Sequence, residues 1–228
     1  MTFNQVKMAL YATYLTNYYG YKIKKSVNFS QIKALRIEYS QKLLHKLDLQ
    51  VKVINAEKVP QDGNYLLVSN HRSVIDPLII ENALTKSKIF GYWVAKKELY
   101  NSFFFGLFVR NAGTILLDRE NAQMKSFMSD IKDVVKEEHS IFIFPEGTRN
   151  KLTAGLGTFK EGSKIIALKN RLDILPVYIR DNADDFLKSS LEKGIKDGVI
   201  EIEIGDIISY RDKSATLEEQ FKKQFNIP

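Results

Sequence analysis

The chain has 228 residues, enough for one sizeable hydrophobic core, and no linker divides it. It contains no cysteine, which excludes disulfides, thiolate catalysis and cysteine-ligated metals, and its three histidines lie too far apart to predict a histidine-built metal site. The formal net charge of +7 comes entirely from residues 1–52, where nine lysines and arginines accompany two acidic residues.

This basic segment predicts two amphipathic helices. In the first, apolar and aromatic residues recur at helical spacing: Met8, Tyr11, Leu15, Tyr18 and Tyr19. In the second, Ser30 is a candidate N-cap. Its apolar stripe comprises Ile32, Leu35, Tyr39, Leu43 and Leu47, beside the basic residues Lys33, Arg36, Lys42 and Lys46.

Basic helices with an aromatic face suit an anionic membrane interface. We therefore predict that residues 1–50 form a membrane-binding helix pair that lies in one leaflet, since no apolar run approaches the ~18 residues of a spanning helix. One alternative is a helical hairpin packed on the core with a solvated basic face. The other is nucleic acid binding, for which there is no recognition motif, so no nucleic acid partner is predicted.

From residue 51 onward, apolar runs of strand length alternate with helical patterns. The predicted strands are Val51–Asn55, Tyr65–Ser69, Ile89–Ala95, Thr114–Leu117, Ser140–Phe144, Ile174–Ile179 and Val199–Ile204. The predicted helices are Leu78–Leu84, Phe103–Val109, Asn121–Glu138, Phe159–Asn170, with Thr158 and Glu161 at capping-box spacing, and Leu217–Phe225. The pattern predicts an α/β domain over residues 51–228, with a mixed, largely parallel sheet of about seven strands flanked by helices.

Two side chains with catalytic potential follow the second predicted strand. His71 lies in the connection to the next helix, and Asp76 lies just before that helix as a candidate cap, with Pro77 in the first turn. An offset of five residues is roughly 140° around an ideal helix, so the two side chains meet only if the chain turns between them. An imidazole oriented by a carboxylate is a general base. The structural alternative is a helix cap beside a polar loop residue.

Charged residues also follow later strands, and parallel strands end at one edge of a sheet. Lys96, Arg119, Glu146 and Arg149 would then share a cleft with His71. Cations beside a base suggest an anionic substrate, most simply a phosphate. Taken singly, each of these residues also fits a solvated surface position or a turn.

Four blocks of the chain resemble the motifs of the 1-acyl-glycerol-3-phosphate acyltransferase (lysophosphatidate acyltransferase) family. In order, they are Asn70-His71 with Asp76, Gly113 with Asp118-Arg119, Phe144 to Arg149 with Asn150 replacing the usual serine, and Ile174 to Val177 with its central proline. The likeness extends from about Val51 to Ile179. Four motifs in order make it specific, whereas one alone would be weak.

The resemblance implies transfer of a fatty acyl group from acyl-CoA or acyl-ACP (acyl carrier protein) to the sn-2 hydroxyl of lysophosphatidate, giving phosphatidate. His71 would deprotonate that hydroxyl and Asp76 would orient His71. Lys96 and Arg149 match positions associated with the acceptor phosphate. The other substrate-binding candidates are Arg119, Glu146, Gly147 and Thr148, and Glu146 has the alternative roles of holding Arg149 or shaping the turn. No metal and no cofactor other than the thioester co-substrate is expected.

The expected partners are a membrane surface with anionic lipids, a lysophospholipid acceptor and the acyl donor. The expected location is peripheral or monotopic, on the cytoplasmic side of the cell membrane. The apolar block Phe103–Val109 would line an acyl-chain pocket, face lipid or pack in the core. Alternatives are another acceptor, such as glycerol-3-phosphate, and a lipid-binding module without catalysis. Ser73 beside the base suggests a thioesterase or lipid hydrolase, but the chain lacks the G-x-S-x-G motif.

Overall fold

The computed structural model describes residues 2–117, 124–151, 155–193 and 197–228. The strands are β1 (Leu49–Ile54), β2 (Leu66–Ser69), β3 (Gly91–Lys96), β4 (Thr114–Leu117), β5 (Ser140–Ile143), β6 (Ile174–Ile179) and β7 (Gly198–Ile204). The helices are α1 (Phe3–Lys24), α2 (Phe29–Lys46), α3 (Asp76–Ala83), α4 (Lys97–Tyr100), α5 (Gly106–Asn111), α6 (Met124–Lys136), α7 (Gly162–Asn170), α8 (Ala183–Lys193) and α9 (Leu217–Phe225). Every predicted strand is present, whereas α4 and α8 are not among the predicted helices.

In the described part of the chain, seven strands form one sheet in the order β1-β7-β6-β2-β5-β3-β4. Five neighbours, β6 to β4 in that order, run parallel, and β7 pairs antiparallel with β6 and parallel with β1. The predicted class, α/β with a mixed, largely parallel sheet flanked by helices, is confirmed. The carboxyl ends of β6, β2, β5 and β3 therefore lie at the same edge.

Helices cover both faces of the sheet. Neighbouring residues on a strand point to opposite faces, so Leu67 joins a core cluster with α1, α2 and α3, and Leu66 joins a second cluster with α6, α7 and α9. β2 and β6 are buried along their whole length, as expected of central strands covered on both sides. Their near-continuous apolar sequence follows from that position.

The two N-terminal helices pack on this domain and not only against each other. Leu15 and Tyr19 of α1 lie in the same core cluster as the sheet, so Leu15 does not contribute to an outward-facing stripe. Arg36 does not lie on a solvated basic face: it is 3% exposed, pairs with Glu81 of α3 and donates to the carbonyls of Gly91 and Ala112. Residues 1–50 thus share a core with the domain, and their separate membrane function stays a prediction.

Three predicted caps are wrong. Asn28, not Ser30, caps α2, because its extended backbone lets the side chain accept the Gln31 N–H at 2.9 Å. Thr158 and Glu161 form no capping box, since α7 begins at Gly162 and the Phe159 N–H donates instead to Glu218 of α9. Asp76 is the first residue of α3, and its carboxylate binds the preceding loop.

Within the residues that the structure describes, no helix combines the length and apolar character needed to cross a bilayer.

Candidate active site

His71 and Asp76 meet in the connection from β2 to α3. Nδ1 of the imidazole lies 2.9 Å from Oδ2 of Asp76. The same oxygen accepts the N–H groups of Arg72 at 2.6 Å and Ser73 at 2.7 Å, so the loop turns around the carboxylate. Asp76 is 1% exposed and His71 is 19% exposed at its side chain, so the carboxylate lies behind the imidazole and Nε2 is the ring nitrogen that does not face Asp76.

The plane of the imidazole is set by ring packing. Phe144, directly after β5, stacks on His71 with centroids 4.0 Å apart and planes within 11°. Trp93 of β3 stacks on Phe144 with ring centroids 5.2 Å apart, and its indole N–H donates to Glu81 at 2.9 Å. Sequence reasoning placed Phe144 at the end of a predicted strand and in a motif, and it gave Trp93 no role; an aromatic residue at a strand end beside the motif was the available signal.

The start of the loop is attached to the neighbouring strand through Asn70. Its side-chain amide donates to the Ile179 carbonyl at 2.9 Å, and its side-chain oxygen accepts the Ile179 N–H at 2.8 Å. The side chain therefore extends the pairing of β2 with β6 by one residue. His71 projects from a fixed strand end because of this pairing.

Glu146 holds the main chain of His71. Its Oε1 accepts the His71 N–H and its Oε2 accepts the Gly157 N–H, both at 2.8 Å. Burial raises the pKa of this carboxyl, against the opposing effects of those two hydrogen bonds and of the charges of His71 and Arg72. These contacts explain a carboxylate that is only 4% exposed.

The remaining predicted residues lie at the same edge or outside the described residues. Lys96 ends β3 and is exposed, as are Thr148 and Arg149 in the turn after β5. Gly147 has a φ of 70° and closes that turn, its N–H donating to the Phe144 carbonyl at 2.9 Å. Because β2, β5 and β3 are parallel neighbours, the topology brings these residues to the edge that holds His71.

Arg119 and Asp118 lie outside the described residues. In the part of the chain that the structure covers, no group of three or more His, Asp or Glu side chains is arranged to hold a metal ion.

Comparison with known proteins adds independent information. A family model described as "Acyltransferase" matches residues 50–180. The 1-acyl-sn-glycerol-3-phosphate acyltransferase of Helicobacter pylori is 37% identical over 142 residues, which are 61% of this chain and 59% of that protein. The protein of the same name from Bacillus subtilis is 28% identical over 162 residues, covering 71% of this chain and 75% of the relative. The first relatives matched are longer, and this chain spans about half of their length.

The fold also matches a solved structure over nearly its whole length. The crystal structure of the 1-acyl-sn-glycerophosphate (LPA) acyltransferase PlsC from Thermotoga maritima superposes with a TM-score of 0.72. The match covers 96% of this chain and 92% of that one at 20% sequence identity, so it shows a shared fold.

Proposed function

Because the chain belongs to the acyltransferase family, we propose that it transfers a fatty acyl group from an acyl thioester to the sn-2 hydroxyl of lysophosphatidate, making phosphatidate. The observation that carries this proposal is the contact between His71 and the buried Asp76 at the carboxyl edge of the sheet. The names of the relatives supply the acceptor class. The donor is acyl-CoA or acyl-ACP.

The proposed mechanism uses His71 as a general base. Nδ1–H donates to Asp76, and Nε2 takes the proton of the acceptor hydroxyl as its oxygen attacks the thioester carbonyl. Collapse of the tetrahedral adduct expels the thiolate, which takes the proton back from the imidazolium. Asp76 stabilises that imidazolium from a buried position. Because the acceptor oxygen attacks the thioester directly, this mechanism needs no acyl-enzyme.

The hydrolase alternative has weaker support. Ser73 is the hydroxyl beside the base, but it is fully buried and its N–H, not its hydroxyl, faces Asp76. Its Oγ accepts the Ile75 N–H at 3.4 Å. A serine nucleophile needs an exposed oxygen within reach of the imidazole, so direct attack by an acceptor hydroxyl is the better-supported route.

Lys96 and Arg149 supply the charge for the acceptor phosphate in this proposal, with Arg119 assisting. Both described cations are exposed at the edge that holds His71. A guanidinium binds two phosphate oxygens at once and an ammonium binds as a point charge. Such a pair would hold the phosphate while the hydroxyl faces Nε2.

We also propose that the protein binds one leaflet of the membrane, on the cytoplasmic side, as a peripheral or monotopic protein. The outer face of α1 exposes an apolar stripe at helical spacing: Phe3, Val6, Leu10, Tyr14, Tyr18 and Tyr21. A second apolar group lies between α4 and α5, where Phe103 is 81% exposed and Phe104 is 51% exposed. With the lysines of residues 1–52, this composition suits an anionic interface.

An acceptor panel tests the function. Purified protein is incubated with labelled acyl-CoA or acyl-ACP and with lysophosphatidate, glycerol-3-phosphate, lysophosphatidylcholine or no acceptor. We expect labelled phosphatidate from lysophosphatidate alone, and none from His71→Ala. Free fatty acid without acceptor would identify a thioesterase, and transfer to a different acceptor would replace the proposed substrate.

A further inference from the structure

Glu146 is placed unlike a side chain that binds substrate. Its two oxygens are directed at main-chain N–H groups on separate loops, that of His71 after β2 and that of Gly157 after β5, each at 2.8 Å. A carboxylate that accepts backbone N–H groups makes short, charge-assisted hydrogen bonds. Glu146 therefore joins the two loops behind the base.

Further bonds tie the same two loops together. The Asn150 N–H donates to the His71 carbonyl at 2.7 Å, so both main-chain polar groups of His71 are held by the loop after β5. The Arg72 guanidinium donates to the Gly155 carbonyl at 2.8 Å. The backbone around His71 is thus held by hydrogen bonds to Glu146, Asn150 and Gly155, as well as by its own strand.

Gly157 shows how closely the carboxylate is fitted. A Cβ built at this position would collide with Oε2 of Glu146, so a side chain here would displace the carboxylate. Glu146 itself is 4% exposed. In the clamp formed by Glu146, His71 N–H and Gly157 N–H, a side chain at position 157 would therefore have to move the carboxylate away from its two donors.

We propose that Glu146 is a positioning residue whose carboxylate fixes the His71 main chain against the Gly157 loop, so that Nε2 faces the acceptor hydroxyl. This inference rests on the proposed function, in which His71 is the base. Glu146 acts through His71 and does not contact the substrate. A displacement of a catalytic group by about 1 Å can cost about 100-fold in rate.

Two substitutions disturb the clamp from opposite sides. Glu146→Gln keeps one acceptor oxygen but turns an amide donor toward a backbone donor, and Gly157→Ala pushes on an intact carboxylate. We expect each to lower kcat about 10- to 100-fold while KM for lysophosphatidate stays within about 2-fold. Gly162→Ala is the matched control, because a Cβ there meets no atom within 4 Å.

A second measurement does not depend on activity. Amide hydrogen exchange followed by NMR should show the His71 and Gly157 N–H groups protected in the wild type. In Glu146→Gln both should exchange faster, while the amides of β6 keep their protection. Asp173→Asn is the control for another carboxylate that accepts a backbone N–H, from Tyr210 at 3.1 Å. Asp173 lies just before β6, at the opposite edge of the sheet, so its substitution should not change exchange at His71.

The outcomes separate the two proposals. A large rise in KM with kcat preserved would make Glu146 a substrate contact, and unchanged kcat in both variants would remove the positioning role. If the wild type transfers no acyl group, the proposed function fails, and the exchange experiment still decides whether Glu146 holds His71. Equal exchange at His71 in the wild type and in Glu146→Gln would overturn the inference on its own. If Glu146→Gln does not fold, Gly157→Ala provides the same comparison.

Discussion

Within the described residues, Oδ2 makes all the hydrogen bonds of the Asp76 carboxylate, and it makes them in the loop between β2 and α3. It faces His71 Nδ1 and accepts two loop N–H groups, whereas Oδ1 is buried and has no hydrogen-bond partner among the described residues. Removing the charge would therefore affect both the loop and the imidazole. Asp76→Asn removes the charge and keeps nearly the same side-chain volume, so it tests the charge alone.

His71→Ala should lower kcat by about 10²–10⁴-fold, the usual contribution of a general base, without a loss of folded protein. Asp76→Asn should lower kcat as well, because the imidazolium loses its orienting charge. Turnover with labelled acyl thioester and circular dichroism provide the two measurements. Asp62→Asn, in an exposed loop, is the control. Near-wild-type transfer by folded His71→Ala would exclude the proposed mechanism.

Arg149→Ala should reduce kcat/KM for lysophosphatidate by roughly 10–150-fold, which corresponds to one charge-assisted hydrogen bond of about 1.5–3 kcal/mol. Arg149→Lys should recover only part of that loss, because the ammonium cannot bind two oxygens in a fork. Lys169→Ala, an exposed cation near the end of α7, should behave as the wild type. An equal loss with an uncharged monoacylglycerol acceptor would show that Arg149 is structural.

At the scale of elements, α2 is joined to the domain by a buried ion pair. Arg36 pairs with Glu81 of α3 and donates to the carbonyls of Gly91, the first residue of β3, and Ala112, just before β4. Glu81 also accepts the Trp93 indole N–H. Trp93 in turn packs on Phe144, which stacks on His71. The site is therefore in continuous contact with an N-terminal helix.

Arg36→Ala should lower the free energy of unfolding by about 3–5 kcal/mol, because it leaves the Glu81 carboxylate buried without its partner. Lys42→Ala on the exposed face of α2 should change it little, since its pair with Glu38 is solvated. Urea titration of both variants measures the difference. A similar, small change in the two would mean that the buried pair does not anchor α2.

The start of α2 meets β3 and β5 in an aromatic group that contains His139. The centroid of its ring lies 4.2 Å from that of Phe29 and 5.7 Å from that of Tyr92. Burial lowers the pKa of His139 below 6.5, against the opposing effect of the Glu137 charge. The unfolded chain then binds a proton at a pH where the folded chain does not. The contribution of the neutral His139 to the free energy of unfolding is thus fully present above pH 6.5, and it is lost as the pH falls below that value.

His139→Phe should flatten the pH dependence of stability. Urea unfolding at several pH values between about 7.5 and 5.5 should show a smaller decline in the variant than in the wild type. Glu137 and Tyr92 are the neighbouring titratable groups and Arg36 is a nearby charge, and all three are unchanged by the substitution. An identical decline in both proteins would assign the pH dependence to other groups.

At the scale of the whole molecule, α1 has two apolar faces with different partners. One face, with Leu15 and Tyr19, belongs to the core, and the opposite face exposes Leu10 and Tyr14. Deleting α1 would therefore uncover the core as well as remove any membrane contact. Point substitutions on the outer face test the membrane proposal without that complication.

Leu10→Ser with Tyr14→Ser should reduce co-sedimentation with liposomes while Tm stays unchanged, because both side chains are exposed. Replacing Lys22, Lys24 and Lys25 with Gln should reduce binding to anionic vesicles only. Binding of the wild type should weaken with salt but not vanish, since screening acts within about 8–10 Å near physiological ionic strength. Ile207→Ser is the control for an exposed apolar side chain elsewhere. Equal, salt-independent recovery of all four proteins would leave α1 as a packing element.

The strands and the class of fold could be predicted from the sequence because an apolar run bounded by turn residues is a local property. β6 matches its predicted range at both ends, as does α9. The motif spacing likewise pointed to His71 and Asp76, and the predicted turn between them is present as the β2–α3 loop. α8 was missed although Phe186, Leu187 and Leu191 recur at helical spacing and pack against the core, so the signal for this helix was present in the sequence.

Which residue meets which across the fold was decided only by the tertiary structure. In the sequence, Arg36 looked like a solvated basic residue on the second helix, yet its hydrogen-bond partners are more than 40 positions away in the chain. The bonds of Glu146 to His71 and Gly157 bridge two strands that are adjacent only in the sheet. Apolar residues lie around much of the circumference of α1. The sequence therefore predicted the helix but not which of its faces packs on the core. Long-range burial and strand order determine these choices, and local periodicity carries no information about either.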